Sequence, residues 1–200
     1  MVLRRFRSLA WALCSLLVPA AAIGQNKISV ALRPGVGFPG DLAPASFQTG
    51  VGFGAGLEYQ ALRRVALYAL WDYYRFSATD KGGDITNAIT NGPSAGVKFQ
   101  GAFSNAVLAW ASGGAAYTRV DVRRLMGDSG DYYPGWEVGA GLSIRIGSRL
   151  ALSPSVRHRE FNLEYEVIYI PEPPLGGDLR IDTENRWADY TAVEFAFLLR

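Results

Sequence analysis

The chain has 200 residues, 49% apolar, 19% charged and 12% aromatic, with one cysteine and a formal net charge of +2. This composition describes one domain with a sizeable core and excludes a disordered tail, a collagen-like repeat and a nucleic-acid-binding protein. The lone cysteine excludes a disulfide framework and a cysteine-based zinc site.

Arg4, Arg5 and Arg7 precede the apolar stretch Leu9 to Val18, and the small residues Ala20, Ala21, Ala22 and Gly24 follow. Residues 1–24 therefore read as a secretory signal peptide, cleaved after Ala22 or, by preference, Gly24, with residues 25–200 as the mature domain. Cys14 lies inside the apolar stretch behind bulky Leu13, so lipid attachment is not expected and the cysteine leaves with the signal. Loss of the three signal arginines takes the 20 basic residues to 17 against 18 acidic ones, a mature net charge of about −1. After residue 24 no unbroken apolar run approaches the ~20 residues of a membrane-spanning helix.

Instead the chain alternates with period two. Strands are predicted at Lys27 to Arg33, Thr49 to Gln60, Val65 to Phe76, Ser94 to Gln100, Ala106 to Val120, Gly135 to Ile146, Leu150 to Phe161 and Ala188 to Leu199. In the clearest, Val51, Phe53, Ala55, Leu57 and Tyr59 share one face while Gly50, Gly52, Gly54, Gly56 and Glu58 share the other. Ala106 to Val120 is so rich in Ala and Gly that either phase fits. Short connections at Ala61 to Arg64, Gly101 to Asn105 and Gly147 to Arg149 alternate with long ones at Phe38 to Gln48, Ser77 to Gly92, Asp121 to Pro134 and Asn162 to Trp187. The predicted class is all-β: an eight-stranded antiparallel up-and-down transmembrane barrel with four long extracellular loops and three short periplasmic turns.

A soluble barrel also alternates, but it would carry polar residues outside. Here one face holds Leu, Val, Phe, Tyr and Trp, and the other holds Gly, Ala and Ser with single charges. Trp71, Tyr73, Phe76, Tyr117, Trp136, Trp187 and Tyr190 lie toward the long-loop end, and Tyr59, Phe99, Phe103 and Phe197 toward the short-turn end, as two interfacial girdles would.

The stretches VGFGAGLEYQ at 51–60, WEVGAGLSIRIG at 136–147, SPSVRHREF at 153–161 and YTAVEFAFLLR at 190–200 resemble the OmpA/OmpX-like outer-membrane barrel superfamily over essentially the whole mature chain. The resemblance implies architecture and leaves activity open, since structural anchors, adhesins and lipid-modifying enzymes share this scaffold. Such barrels often end in an aromatic residue, whereas this chain ends Leu199, Arg200; Phe195 and Phe197 keep the alternating aromatic pattern that the barrel-assembly machinery is thought to read.

Glu58, Asp72, Lys98, Glu137, Arg145, Arg157 and Glu194 have inward phase, with Arg33 and Arg159 as further members. Isolated charges there would be costly, so pairing is expected: Glu137 with Arg157 and Arg159, Arg33 with Glu194 across the barrel closure, and Arg145, Glu58 and Lys98 near the short-turn end. A static ion-pair plug is favoured over a gated ion path, because eight strands leave little lumen.

His158, the only histidine, faces outward near the long-loop side. The lipid A deacylases of similar shape carry Ser two residues after such a His, where this chain has Glu160, so the nucleophile is missing and an interfacial contact to lipopolysaccharide head groups is the better reading. GVGFGAG at 50–56 is a strand, not a phosphate loop. Asp80, Asp84, Asp121, Asp128 and Asp131 lack calcium-loop spacing and read as solvated acids, so no catalytic residue, cofactor or metal is assigned.

In the fourth long connection Leu163, Tyr165, Val167 and Tyr169 alternate with Glu164, Glu166 and Ile168 before the turn Pro171 to Gly177, and alternation resumes at Leu179, Ile181 and Thr183. This predicts a protruding hairpin whose strand edges offer an interaction surface. The expected function is a non-enzymatic outer-membrane surface anchor and interaction module. Its partners would be outer-membrane lipids and lipopolysaccharide, the barrel-assembly machinery during insertion, and a surface protein ligand bound by a monomer. An outer-leaflet lipid-modifying enzyme around His158 and Glu160 is the first alternative, and a soluble lipocalin-like periplasmic carrier the second.

Overall fold

A computed structural model describes residues 27–40, 46–79, 85–124, 127–169 and 180–199. The predicted signal peptide, Leu179 and the tip Pro171 to Gly177 lie outside the described residues, as do the side chains of Tyr165, Glu166, Val167, Tyr169 and Ile181. Among the described residues nine strands form: β1 (Ile28–Pro39), β2 (Ser46–Phe47), β3 (Gly50–Leu62), β4 (Val65–Thr79), β5 (Ile85–Ala102), β6 (Val107–Arg124), β7 (Gly127–Arg145), β8 (Leu150–Tyr169) and β9 (Arg180–Leu199). β2 only caps the end of β4, at Ser46↔Thr79 and Phe47↔Ala78. The other eight run antiparallel and close into a barrel through β1–β9 and β4–β5. No helix occurs among the described residues.

Side chains alternate between lipid-side and lumen-side positions. Leu32, Val51, Phe53, Leu57, Trp71, Phe99, Trp136, Leu142, Phe195 and Phe197 are exposed on the outer wall, whereas Ser94, Ser153, Ser155 and the charged residues Arg33, Glu58, Asp72, Lys98, Glu137, Arg157, Arg159 and Glu194 turn inward and are buried. β6, ambiguous from sequence, points its even-numbered residues inward: Trp110, Ala116, Thr118 and Val120 are buried.

Several strands are longer than the period-two signal indicates. β1 runs to Pro39, and much of the stretches read as loops at Ser77 to Gly92 and Asp121 to Pro134 continues the ladder, which reaches Arg124↔Gly127 between β6 and β7. The reason is physical. Alternation in a membrane barrel records lipid on one face and lumen on the other, and above the bilayer that contrast disappears while hydrogen bonding between strands continues. β8 and β9 have 20 residues each, against about 9–11 needed to cross a bilayer. Their ladder extends to Tyr169↔Arg180.

The girdle assignment needs two corrections. Phe76 and Tyr190 are buried and share the inward phase of Asp72 and Glu194, so they cap the lumen rather than sit at the lipid interface. Tyr74 joins them, its ring 5.3 Å from Tyr190 and 6.3 Å from Phe76 between centroids. Gly35 and Gly52 make room for these rings: a Cβ at either would collide with Tyr74. On the outer wall Tyr117 stacks on Tyr132 at 5.1 Å. Beside them Arg119 Nε donates to Asp121 Oδ1 at 2.8 Å, a bond that raises the guanidinium's pKa above its ordinary value.

Pro34, Pro93 and Pro154 sit inside strands, a position proline normally avoids because it cannot donate to the ladder. Each N lies on one side only, so one ladder continues (Pro34↔Phe53, Trp71↔Pro93, Pro154↔Phe195) while the other skips. Opposite Pro154 the β7–β8 ladder jumps from Gly141↔Ser155 to Ile144↔Leu152, which leaves the Leu142 carbonyl without a strand donor. Ser153 supplies one: its Oγ donates to the Leu142 carbonyl at 2.7 Å and accepts from Trp110 Nε1 at 3.0 Å. Ser153→Ala strands both groups away from water and should lower the unfolding free energy in urea by about 1–3 kcal/mol, the cost of an unsatisfied buried polar group. An unchanged unfolding curve would show that this bridge contributes nothing.

Candidate functional site

The described chemistry concentrates in the lumen. Four cations (Arg33, Lys98, Arg157, Arg159) and four carboxylates (Glu58, Asp72, Glu137, Glu194) are all buried there. β8 ascends with Arg157 and Arg159 one inward step apart, and β7 descends beside it with Glu137 opposite Arg159 in register. Arg157 lies between three acids: Nη1 is 3.1 Å from Asp72 Oδ2 and 3.3 Å from Glu194 Oε1, and Nη2 donates to Glu137 Oε2. Arg159 Nη2 donates to Asp72 Oδ2 and Glu137 Oε2, both at 2.6 Å.

Glu194 continues the network sideways. It accepts from Tyr74 Oη at 2.8 Å and lies 3.5 Å from Arg33 Nη1 across the barrel seam. Nearer the short turns Lys98 Nζ donates to both oxygens of Glu58 at 2.9 Å, with Arg33 Nη2 3.9 Å away. The Lys98 ammonium also sits 4.5 Å above the Trp110 ring. Equal numbers of opposite charges give a formally neutral cluster, which is how such groups tolerate a low-dielectric interior.

Arg145 is the exception among the expected members. It is exposed at the short-turn mouth and makes no ion pair among the described residues, because it is the last residue of β7 and lies below the Glu58–Lys98 pair.

On the outer wall His158 Nδ1 is 3.1 Å from Thr191 Oγ1 and 3.9 Å from Asp189 Oδ2, with its ring 5.7 Å from Trp136. Sequence reading missed this threonine because it is brought to His158 by the β8–β9 register rather than by local spacing. The hydroxyl and the carboxylate approach the same ring nitrogen, so this arrangement cannot relay a proton from one through the ring to the other. No group of three His, Cys, Asp or Glu suited to a metal occurs among the described residues.

An apolar outer wall, an antiparallel closed ring and a buried ion-pair lumen define the class: an eight-stranded barrel of the outer-membrane type. Solved structures of that type resemble it. Neisserial surface protein A matches with a TM-score of 0.58 at 12% identity, covering 86% of this chain and 94% of that one. The outer membrane protein OprG of Pseudomonas aeruginosa matches with a TM-score of 0.56 at 10% identity, covering 88% and 95%. At such identities the likeness concerns the fold. No protein-family model and no curated sequence matches the chain significantly.

Proposed function

We propose that the chain is a non-enzymatic integral outer-membrane barrel, a surface anchor that works through its long hairpins, with a lumen closed by ion pairs and aromatic rings. The carrying observation is the β8–β9 ladder, which continues to Tyr169↔Arg180, beyond the length a bilayer requires. At about 3.3 Å per residue and a tilt near 45°, 20 residues span roughly 45 Å, well beyond an apolar band about 25 Å tall. The outer wall meets outer-membrane lipids and lipopolysaccharide, the barrel-assembly machinery inserts the monomer, and a protein ligand docks on the hairpin. The outward apolar face and inward charges speak against a lipocalin-like carrier, which would need an apolar lumen.

Replacing Val167 to Leu179 by a short Gly-containing turn removes the outermost hairpin and leaves the membrane strands intact. The shortened protein should still assemble and show heat-modifiable migration on a gel, while surface binding of its partner, captured on intact cells, is lost. Retained binding after clean assembly would move the site to the β4–β5 or β6–β7 hairpin. Failure to assemble would make the hairpin part of the barrel's stability.

A further inference from the structure

The short-turn mouth opens into a cavity of about 340 Å³ whose lining includes Ser29, Arg63, Lys98, Ser143, Arg145 and Ser148. We propose that this vestibule is a binding site for a small phosphate-bearing anion. The neutral cluster above it forms the roof, where Lys98 and Glu58 pair with each other and line both the vestibule and the narrow void beyond. Two guanidiniums are thus left over. Arg63, in the β3–β4 turn, and Arg145, at the end of β7, have no carboxylate partner among the described residues. The three turns that rim the mouth, 61–64, 101–106 and 146–149, contain no Asp or Glu.

Two uncompensated positive charges on the exposed rim of a concave vestibule draw an anion toward it. Arginine forks match phosphate oxygens, and hydroxyls of Ser29, Ser143 and Ser148 add donors without adding negative charge. A phosphate monoester carries about −1.5 to −2 charges at pH 7, which balances both arginines, whereas a carboxylate balances one. The volume exceeds that of phosphate itself and falls in the range of small-ligand pockets, so an organic group fits beside the phosphate. The phosphate could belong to a soluble metabolite or to a lipid head group of the adjoining leaflet.

The test uses the full barrel in phosphatidylcholine nanodiscs, with calorimetric titration of inorganic phosphate, glycerol 3-phosphate and acetate at fixed ionic strength. Both phosphates should bind saturably at one site, and acetate at least about tenfold more weakly. Arg63→Gln, in a turn where folding is not at risk, and Arg145→Gln should each weaken phosphate binding about tenfold or more. Arg149→Gln, exposed in the neighbouring turn outside the lining, should leave it unchanged. Binding should weaken as pH falls through the second phosphate ionisation near 6. Discs doped with phosphatidic acid, whose head group is a phosphomonoester, separate the sources: lost binding of free phosphate assigns the site to lipid head groups, and undiminished binding assigns it to a soluble ligand. No saturable binding in the undoped discs, or equal losses in Arg149→Gln and the two lining variants, would overturn the proposal.

Discussion

Arg157→Met is expected to destabilise the barrel by about 3–5 kcal/mol, the usual cost of removing one partner from a buried ion pair. Methionine keeps most of the stem's volume, so the loss reflects charge rather than a cavity. The guanidinium touches Asp72, Glu137 and Glu194, and without it Arg159 is the one cation still paired with Glu137 and Asp72, while Glu194 keeps Arg33 and Tyr74. Three carboxylates then share too little positive charge in a water-poor interior. Adding Glu137→Gln removes one surplus charge, so the double variant should be less destabilised than the two single losses together by about 1–3 kcal/mol. Urea unfolding in lipid vesicles measures both. A loss under about 1 kcal/mol in Arg157→Met would mean that water, not neighbouring charge, solvates these acids.

Leu142→Arg carries the second-largest expected cost, about 2–4 kcal/mol, the figure for a cation on the lipid face near the bilayer midplane. Leu142 is 40% exposed on the outer wall of β7, between Trp136 toward one interface and Ile146 toward the other. Its neighbour Gly141 turns inward, where a Cβ would press on Ser155 and the Trp110 ring, so Gly141→Arg should fail by crowding instead. The two substitutions separate by lipid thickness: a thinner bilayer lets the arginine at 142 snorkel and reduces its cost, and leaves the crowding at 141 unchanged. Unchanged stability of Leu142→Arg would mean that β7 has the opposite phase.

The eight membrane strands and the inward phase of most of the charged residues are legible because lipid and lumen impose opposite polarity on alternate residues. Where that contrast fails, the reading fails. Ala106 to Val120 has small residues on both faces, so only the three-dimensional placement of Trp110 against Ser153 fixes its phase. Asp121 to Pro134 lacks the alternation of large apolar and small residues and reads as loop although it pairs to Arg124↔Gly127. The inward phase of Phe76 and Tyr190 is legible in the sequence. Counting in twos from Asp72 and Glu194 turns both inward, whereas their aromatic character alone points to the girdle. Contacts such as His158 with Thr191 depend on the register between β8 and β9, which no single strand encodes.

The proposed membrane barrel has an interior that is filled rather than open. Single-channel recording of the refolded protein in planar bilayers tests it most directly. No large stable conductance is expected, since the buried ion pairs and the Tyr74, Phe76 and Tyr190 rings occupy the lumen of a barrel this narrow. A reproducible nanosiemens-scale channel from the monomer would contradict it.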